Sequence, residues 1–394
     1  MMLKRIEGQE QEVVHALKRF AGGEVFLHLE LTMGAYAKRR GIDHPSGVLM
    51  RNGRVISDSL QLLGNVPYRL GMTTDDGYVL VEGLTHWRLD AASGVLGLYA
   101  LAQDEKLGAA VLLSQTPLSL AGRREARWQE VHFEQQEATA ALEGLFAEAG
   151  MTTDAGWLAW EEENKAVSRV LDTKLRQTVE RVLAIFPHPD DETFAAGGTL
   201  AAFSLLGKEV SVLCLTRGDL ARGLGYPLLA DRLTLPTVRE AELKEAVRVL
   251  GARRLIIGDL HDKMVEQLGD ETLSQLLVPY LKRLRPDLII TYYPDYAVHP
   301  DHDAVGRAVR LASRRAGHVK KNPFVLGAAF SERTEELGPP QLELPLSPVL
   351  WAVKRAAMRA HRTQVAHLDT ELQRITIAEP ENEPRFRQEQ FWEV

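Results

Sequence analysis

An α/β fold is predicted for the second half of this 394-residue chain, because strand-like and helix-like patterns alternate there. Such alternation is typical of a mostly parallel sheet with helices on both faces, a Rossmann-like arrangement. We assign residues 178–394 to this domain. Strands are predicted near residues 182–186, 210–215, 254–257, 287–292 and 325–330, and helices near 195–206, 237–250, 271–284 and 303–314.

A smaller, mainly antiparallel α+β domain is predicted for residues 1–121. A helix pattern from Gln9 to Phe20 precedes several short runs of strand type. Asn52-Gly53 and Asp76-Gly77 predict tight hairpin turns, because glycine readily adopts positive φ angles. The predicted strands are 24–31, 48–57, 78–82, 85–89, 96–102 and 108–113.

A helical linker is predicted between the two domains, over residues 122–177. Its composition is rich in Glu, Gln, Ala, Leu and Lys, which predicts helices over Arg123–Ala149 and Asp154–Thr178. Five apolar residues are expected to form a stripe on the first helix that docks on a neighbour. They are Trp128, Phe133, Leu142, Leu145 and Phe146.

Composition excludes several classes of protein. The net charge is -7, whereas a general nucleic-acid binder needs a basic face. No run approaches the roughly 20 apolar residues of a membrane span, and the N-terminus does not resemble a signal peptide, so we expect a cytoplasmic protein without a membrane partner. The single cysteine, Cys214, excludes an internal disulfide and is expected to be a small core residue.

Two clusters of His, Pro and Asp carry the chemistry. His188, Asp190 and Asp191 follow the first predicted strand of the α/β domain, and His299 to His302 follow the fourth. Loops at the carboxyl ends of parallel strands form the ligand crevice of such sheets, so the two clusters are expected to converge. Either cluster alone is compatible with an ordinary turn or a helix N-terminus. Their joint occurrence favours a site.

These residue types favour a hydrolytic metal centre. Zinc in such centres takes about three protein ligands and leaves a position for water. His188, Asp191 and one histidine of the second cluster would supply the ligands. Adjacent carboxylates cannot both point the same way, so one is left to act as general base on the water. Asp303 is expected to be the N-cap of the helix that begins near Ala304, without a chemical role.

The motif Pro187 to Glu192, with the later His299 to His302, resembles the signature pair of the LmbE/PIG-L family of zinc-dependent N-acetylglucosamine deacetylases. Further similar stretches are Thr216 to Asp219, Arg239 to Leu243, Asp262-Lys263 and His361 to Gln364, so the resemblance covers about 178–394. Asp219 departs from the family, which more often has Glu there.

The resemblance implies a role for each residue of the two clusters. His188, Asp191 and His302 would be the metal ligands and Asp190 the general base. His299 would act as the electrophilic or acid histidine, oriented by the carboxylate of Asp301. Zinc is the expected metal, although two imidazoles and one carboxylate also suit ferrous iron.

Within the family, the segment Arg222 to Leu243 and the ending Arg359 to Gln364 look most like the bacillithiol-biosynthesis deacetylases. The implied substrate is the small glycoside N-acetylglucosaminyl malate, and we expect a homo-oligomer. The long connection from Arg217 to Pro236 is interpreted as a lid with a cationic wall. Arg222 and Arg239 are predicted to bind the malate carboxylates, because arginine binds carboxylates bidentately, and His361 is predicted to close the same pocket.

Alternatives remain open at this point. The same chemistry could act on another glycoside or a thiol conjugate, or the chain could be a non-catalytic, metal-dependent sugar-binding protein. Intact Asp190 and His299 favour an enzyme, because binding alone needs neither a base nor an electrophile. Residues 1–120 resemble the YojF family through Val25 to Glu30 and Pro67-Tyr68-Arg69. This resemblance implies a fold unit without a known chemistry.

Overall fold

A computed structural model describes residues 3–32, 47–75, 77–102, 106–117, 127–134, 179–316, 323–365 and 384–394, with a few single positions between 143 and 165. The chain forms two compact units. The first comprises Met1–Leu120 together with Ala221–Leu235, and the second comprises Ala121–Leu220 and Pro236–Val394. The first unit is therefore discontinuous in sequence.

The first unit is built on an antiparallel sheet and one helix. Its elements are β1 (Lys4–Arg5), α1 (Glu10–Lys18), β2 (Val25–Thr32), β3 (Gly47–Val55), β4 (Gln61–Leu63), β5 (Tyr68–Thr74), β6 (Gly77–Leu84), β7 (His86–Leu89), β8 (Leu96–Leu101) and β9 (Leu107–Ser114). The strand order is β1-β7-β8-β9-β2-β3-β5-β4, and β6 pairs with β5. Alternate residues such as Leu27 and Leu29 enter an apolar core with Val13 and Leu17 of α1, because successive side chains of a strand point to opposite faces.

One predicted turn of this unit is wrong. Asn52-Gly53 lies inside β3 as a bulge, where the register against β2 shifts between Leu27 and Leu29 and Asn52 has a φ of 56°. The Asn52 backbone N–H points to Nδ1 of His28 at 3.3 Å, so the positive φ serves a bulge instead of a chain reversal. A hairpin does form at the other predicted turn, since Thr74 pairs with Gly77. Gly77 is the first residue of β6, and Asp76 lies outside the described residues.

The second unit contains a mixed sheet. Its strands are β10 (Gln129–His132), β11 (Arg181–Phe186), β12 (Glu209–Thr216), β13 (Arg254–Leu260), β14 (Leu288–Tyr292), β15 (Phe324–Ala328), β16 (Leu342–Pro345) and β17 (Gln388–Glu393). The order is β10-β13-β12-β11-β14-β15-β17-β16. The run from β13 to β15 is parallel, whereas β10, β17 and β16 pair antiparallel.

Helices cover both faces of this sheet. They are α2 (Asp191–Leu205), α3 (Leu235–Val249), α4 (Asp270–Leu284), α5 (Pro300–Ala316), α6 (Pro348–Ala360), α7 (Arg362–Val365) and α8 (Pro384–Arg387). Val182, Ala184 and Phe186 of β11 belong to a core with residues of α2, α3 and α6. Leu183 and Ile185 belong to a second core with residues of α4 and α5. No helix among the described residues is long and apolar enough to cross a membrane.

The helix predicted from Arg123 is wrong at residues 129–132, which form β10. Gln129 pairs with Ile257, and Val131 and Phe133 pack on one core while Trp128 packs on the other. This alternation is that of a strand, so pairing at the sheet edge overrides the helical propensity of the composition. Leu142, Leu145 and Phe146 lie outside the described residues.

Candidate active site and metal centre

The site lies at the carboxyl ends of four neighbouring parallel strands. The loop after β11 carries His188 to Asp191, and the loop after β14 carries His299 and leads into α5. Between them in sequence, Gly218 follows β12 and Asp262 follows β13. Because β13, β12, β11 and β14 are adjacent, their carboxyl ends bring these residues to one edge of the sheet.

Both helices after the clusters begin earlier than predicted. α2 begins at Asp191, not near Ala195, and α5 begins at Pro300, not near Ala304. Asp303 is therefore not the N-cap. It lies in the first turn, where its Oδ1 accepts from the backbone N–H of Ala297 at 3.2 Å. Asp191 therefore lies in the first turn of α2, and Asp301 and His302 lie in the first turn of α5. The helical backbone fixes all three residues, which would be less constrained in a loop.

Three buried groups converge in the way that the sequence predicts for metal ligands. His188 Nδ1 and His302 Nε2 lie 3.2 Å apart. His188 Nδ1 lies 3.3 Å from Asp191 Oδ2, and His302 Nε2 lies 3.3 Å from Asp191 Oδ1. A tetrahedral zinc ion with bonds of about 2.0–2.1 Å has ligand atoms about 3.3–3.4 Å apart. The spacing of the two nitrogens therefore fits two ligands of one small divalent cation, with the Asp191 carboxylate beside both.

Hydrogen bonds assign the protons of both histidines. His302 Nδ1 lies 3.1 Å from the carbonyl oxygen of Ala297, so it is the donor nitrogen. His188 Nε2 lies 3.2 Å from both Asp262 Oδ1 and Asp301 Oδ2. A metal-binding histidine commonly donates its other ring N–H to a carboxylate or carbonyl. The two remaining nitrogens lie 3.2 Å apart and each lies 3.3 Å from Asp191, so as neutral rings they would suit a bound cation.

The electrostatics favour a positive charge in this pocket. Burial alone would lower the pKa of His188, but the carboxylates of Asp262 and Asp191 raise it well above its usual value. Burial would raise the pKa of Asp191, but His302 and His188 hold it well below the usual range. The pocket therefore stabilises a positive charge next to an ionised Asp191. Alternative groupings of His188, with His299 and His302 or with Asp262 and Asp301, also lie within reach of one ion.

Asp190 differs from its buried neighbour Asp191. It is the N-cap residue of α2 with a φ of 122°, and its side chain keeps 20% exposure. Arg239 Nη2 donates to Asp190 Oδ2 at 3.0 Å. Burial raises the pKa of Asp190 to about 6, with Asp191 adding to the rise and Arg239 opposing it. A carboxylate with a pKa near neutrality suits proton transfer at physiological pH.

His299 is held as a neutral donor. Burial, with His188 and His302 nearby, lowers its pKa to about 3. The backbone N–H of Asp301 donates to His299 Nδ1 at 3.1 Å, so the ring proton lies on Nε2. The resemblance assigned this orienting role to the Asp301 carboxylate, but the contact comes from the Asp301 backbone. The Asp301 carboxylate instead contacts His188 and accepts from the backbone N–H of Glu266 at 3.0 Å.

The three predicted substrate-binding residues lie in different surroundings. Arg239 is 2% exposed and donates to the carbonyl oxygens of Gly218 and Pro189 as well as to Asp190. His361 is fully buried, with Nε2 2.9 Å from Glu192 Oε1. Arg222 belongs to the first unit, where its Nε donates to the carbonyl oxygen of Leu107 at 3.0 Å.

Three residues that support the site were given no role from the sequence, although Glu192 and Asp262 lie in the motifs quoted above. Asp262 contacts His188, Tyr292 donates its hydroxyl to Asp191 Oδ1 at 2.7 Å, and Glu192 Oε2 accepts from the Asp190 backbone N–H at 3.0 Å. Asp262 and Tyr292 stand at or just after the ends of β13 and β14. Their positions at the carboxyl ends of parallel strands were the available signal.

Gly218 is required by the same geometry. Its φ is 62°, a conformation that residues with a Cβ seldom adopt. A Cβ at this position would clash with the guanidinium of Arg239. The glycine therefore lets Arg239 reach both the Gly218 carbonyl and Asp190.

Comparisons with known proteins agree with the site. Residues 183–313 match the PIG-L family, described as GlcNAc-PI de-N-acetylase, and residues 7–118 match DUF1806, described as a protein of unknown function. A probable N-acetyl-alpha-D-glucosaminyl L-malate deacetylase 2 from Bacillus anthracis is 37% identical over 193 residues, which cover 49% of this chain and 85% of the relative.

Two solved structures are also similar. N,N'-diacetylchitobiose deacetylase from Pyrococcus horikoshii is 24% identical with a TM-score of 0.45, over 59% of this chain and 92% of that chain. The YojF protein of Bacillus subtilis is 28% identical with a TM-score of 0.24, over 30% of this chain and 99% of that chain.

The chain is a deacetylase, an enzyme that hydrolyses an amide. It belongs to the PIG-L family, and the predicted family resemblance is confirmed. Its N-terminal part, over residues 7–118, is a DUF1806 domain.

Proposed function

We propose that the chain removes the acetyl group from N-acetylglucosaminyl malate in bacillithiol biosynthesis. The similarity to the Bacillus anthracis relative supports the substrate. The observation that carries the chemistry is the convergence of His188, Asp191 and His302, with Asp190 beside them. A sugar-binding protein would not need this base.

His188, Asp191 and His302 would hold one divalent cation, either zinc or ferrous iron. When bound, the cation would polarise the acetamide carbonyl and lower the pKa of a water molecule. Asp262 and Asp301 would fix the ring of His188 by accepting from Nε2. Tyr292 would fix Asp191 through its hydroxyl.

Asp190 would take a proton from the attacking water, because its pKa of about 6 leaves it ionised at neutral pH. Arg239 would act as a positioning residue that holds Asp190 Oδ2. The same carboxyl group would then return the proton to the amine nitrogen as the carbon–nitrogen bond breaks. Acetate and the free amine are the products, so one water is consumed for each amide.

His299 would stabilise the oxyanion that forms at the acetamide carbonyl. Its Nε2–H is a donor, because Nδ1 already accepts from the Asp301 backbone. Its lowered pKa keeps the ring neutral, so this contribution is a hydrogen bond and not a proton transfer.

Arg239 and His361 would act as positioning residues and not as substrate contacts, because both are buried. Arg239 is hydrogen-bonded to Asp190, and His361 is hydrogen-bonded to Glu192. Arg222 remains the predicted contact for the malate carboxylates. Arg222→Ala should reduce kcat/KM for N-acetylglucosaminyl malate by about 30-fold, the scale of a lost charged hydrogen bond, and much less for a neutral N-acetylglucosamine glycoside. Equal losses on both substrates would refute substrate contact by Arg222 and would leave its hydrogen bond to Leu107 as its role.

The central experiment measures acetate release from a panel of N-acetylglucosamine conjugates by the metal-loaded chain. N-acetylglucosaminyl malate should be the best substrate. Asp190→Asn and His299→Ala should each lower kcat by roughly two to four orders of magnitude while metal content is retained. His132→Ala, an exposed histidine of the same unit, is the matched control and should keep full activity. Near-native turnover by Asp190→Asn would refute the mechanism.

A further inference from the structure

The sheet of the first unit has two buried faces of different character. One face carries the apolar core, whereas Glu30, Arg88 and Tyr99 are buried without belonging to that core. Tyr99 pairs with Ala110, and Ala110 pairs with Glu30, so these positions form one row across β8, β9 and β2. Buried charges need partners of opposite sign. The charged face therefore requires a complementary segment.

Residues 221–235 supply that complement. Arg232 Nη2 donates to Glu30 Oε1 at 3.0 Å, and Arg232 Nε lies 3.0 Å from Glu30 Oε2. Arg88 Nη1 donates to Asp231 Oδ2. The side chains of both pairs are at most 9% exposed. Glu30 and Arg88 on the sheet are thus each paired with a residue of opposite charge on the segment, Arg232 and Asp231 respectively.

The backbone adds a third attachment. The N–H of Leu107 donates to the carbonyl oxygen of Arg222 at 3.2 Å, and Arg222 Nε donates back to the Leu107 carbonyl at 3.0 Å. Asp231 Oδ1 also accepts from the backbone N–H groups of Leu233 and Thr234 at 2.9 and 3.0 Å. The segment is therefore held at both of its ends and has an ordered turn of its own.

Both ends of the segment continue directly into the active site of the second unit. At the N-terminal end, the backbone N–H of Leu220 donates to Asp262 Oδ2 at 3.0 Å, and Asp262 Oδ1 contacts His188. At the C-terminal end, α3 begins at Leu235 and carries Arg239, which holds Asp190. A displacement of the segment would move groups that orient a ligand and the base.

We propose that the DUF1806 domain, residues 7–118, positions the active site of the deacetylase. Glu30 and Arg88 of this domain anchor residues 221–235 and thereby set the positions of Asp262 and Arg239. The inference rests on the proposed function for its kinetic readout only. Glu30 and Arg88 are positioning residues, so their loss should lower kcat more than it raises KM. Small misplacements of catalytic groups cost about 10²-fold in rate.

The test uses Glu30→Gln and Arg88→Met in the full chain. Each variant should lower kcat at least tenfold with KM within twofold and with unchanged metal content. Hydrogen exchange measured by mass spectrometry should be faster in residues 221–235, and also in peptides that contain Asp262 and Arg239. Glu30→Asp keeps the charge on a shorter side chain and should give a kcat between those of the native chain and Glu30→Gln. This second variant keeps the test valid if Glu30→Gln does not fold.

Two controls separate positioning from general destabilisation. Arg69→Met breaks an exposed ion pair with Glu82 in the same unit and should leave activity and exchange unchanged. Leu84→Ala creates a cavity in the apolar core of this unit and should lower thermal stability while kcat is retained below the transition.

Hydrogen exchange needs no substrate, so it reports on anchoring even where the assigned substrate is wrong. Native exchange in all three regions, together with native kcat in Glu30→Gln and Arg88→Met, would overturn the proposal. Faster exchange confined to residues 221–235, with unchanged kcat, would also overturn it, because the anchors would then hold the segment without positioning the site.

Discussion

Arg239 Nη2 donates to Oδ2 of Asp190 at 3.0 Å from a side chain that is only 2% exposed. The same guanidinium donates from Nη1 to the Gly218 carbonyl at 3.0 Å. One residue of α3 therefore connects the loop after β12 with the first residue before α2. The buried charge of Arg239 offsets part of the rise in the pKa of Asp190 that burial causes.

Gly218→Ala should lower kcat by about 10²-fold, because the new methyl group would displace the Arg239 guanidinium and strain a residue with a φ of 62°. Metal content should stay native, since no ligand changes. Steady-state kinetics and metal analysis on the same preparation check this. Gly207→Ala is the matched control, because Gly207 also has a positive φ but nothing lies within 4 Å of its Cβ position. Equal kinetics for both variants would contradict the role of Gly218.

His188→Ala, Asp191→Ala and His302→Ala should each lower the metal content of the purified chain, because each removes one of three ligands. Metal analysis after dialysis against a weak chelator measures this. His132→Ala should retain native metal. Stoichiometric metal in all three ligand variants would refute the site.

Lys354→Met should destabilise the second unit by about 3 kcal/mol, because it leaves the buried carboxylate of Glu389 without its cation. Lys354 Nζ donates to Glu389 at 2.6 Å, and both side chains are at most 2% exposed. Glu389 also accepts from the backbone N–H groups of Gly198 and Thr199, which lie in α2. Glu389→Gln added to Lys354→Met should recover part of the loss in urea unfolding. A double variant less stable than Lys354→Met would argue against an unpaired charge.

The first unit should lose stability between pH 6.5 and about 4 because of His28. Burial, with a contribution from Arg51, lowers the pKa of His28 to about 4, whereas the unfolded value is 6.5. The unfolded chain therefore takes up a proton first as the pH falls, so this stability is complete above pH 6.5 and lost toward pH 4. The loss is on the order of 2 kcal/mol.

His28→Gln removes the titrating group and should flatten this dependence. The measurement is hydrogen exchange of β2 peptides in urea at several pH values. The protection of these peptides is compared between the variant and the native chain. His15→Gln, in which an unrelated histidine of α1 is replaced, should leave the slope unchanged. An identical slope in His28→Gln would show that other groups cause the acid sensitivity.

The sequence predicted most of the second unit, because each buried parallel strand is a short apolar run that precedes an amphipathic helix. It also predicted the convergence of His188 and His302, since both follow strands of one parallel sheet. The role of Asp262 depends on β13 lying next to β12, and the strand order is not encoded in local patterns. β10 was not predicted because its Glu- and Gln-rich composition favours a helix. It forms a strand because it pairs with β13, where Gln129 lies opposite Ile257.

The fate of residues 221–235 was also beyond local sequence patterns. Glycines, prolines and arginines in a long connection predicted a lid over the substrate. Glu30 lies 202 residues from Arg232, and Arg88 lies 143 residues from Asp231. Contacts at such separations arise from tertiary packing, and no periodicity of the segment itself reveals them.

These separations have a consequence for synthesis on the ribosome. The strands and helix of the first unit are complete once Leu120 has emerged, yet Glu30 and Arg88 lack their partners until Arg232 has been made. At about 5–20 residues per second, the nascent domain waits on the order of ten seconds with this charged face still hydrated. The first unit therefore depends, for its last buried ion pairs, on residues that are synthesised after β11 and β12 of the deacetylase.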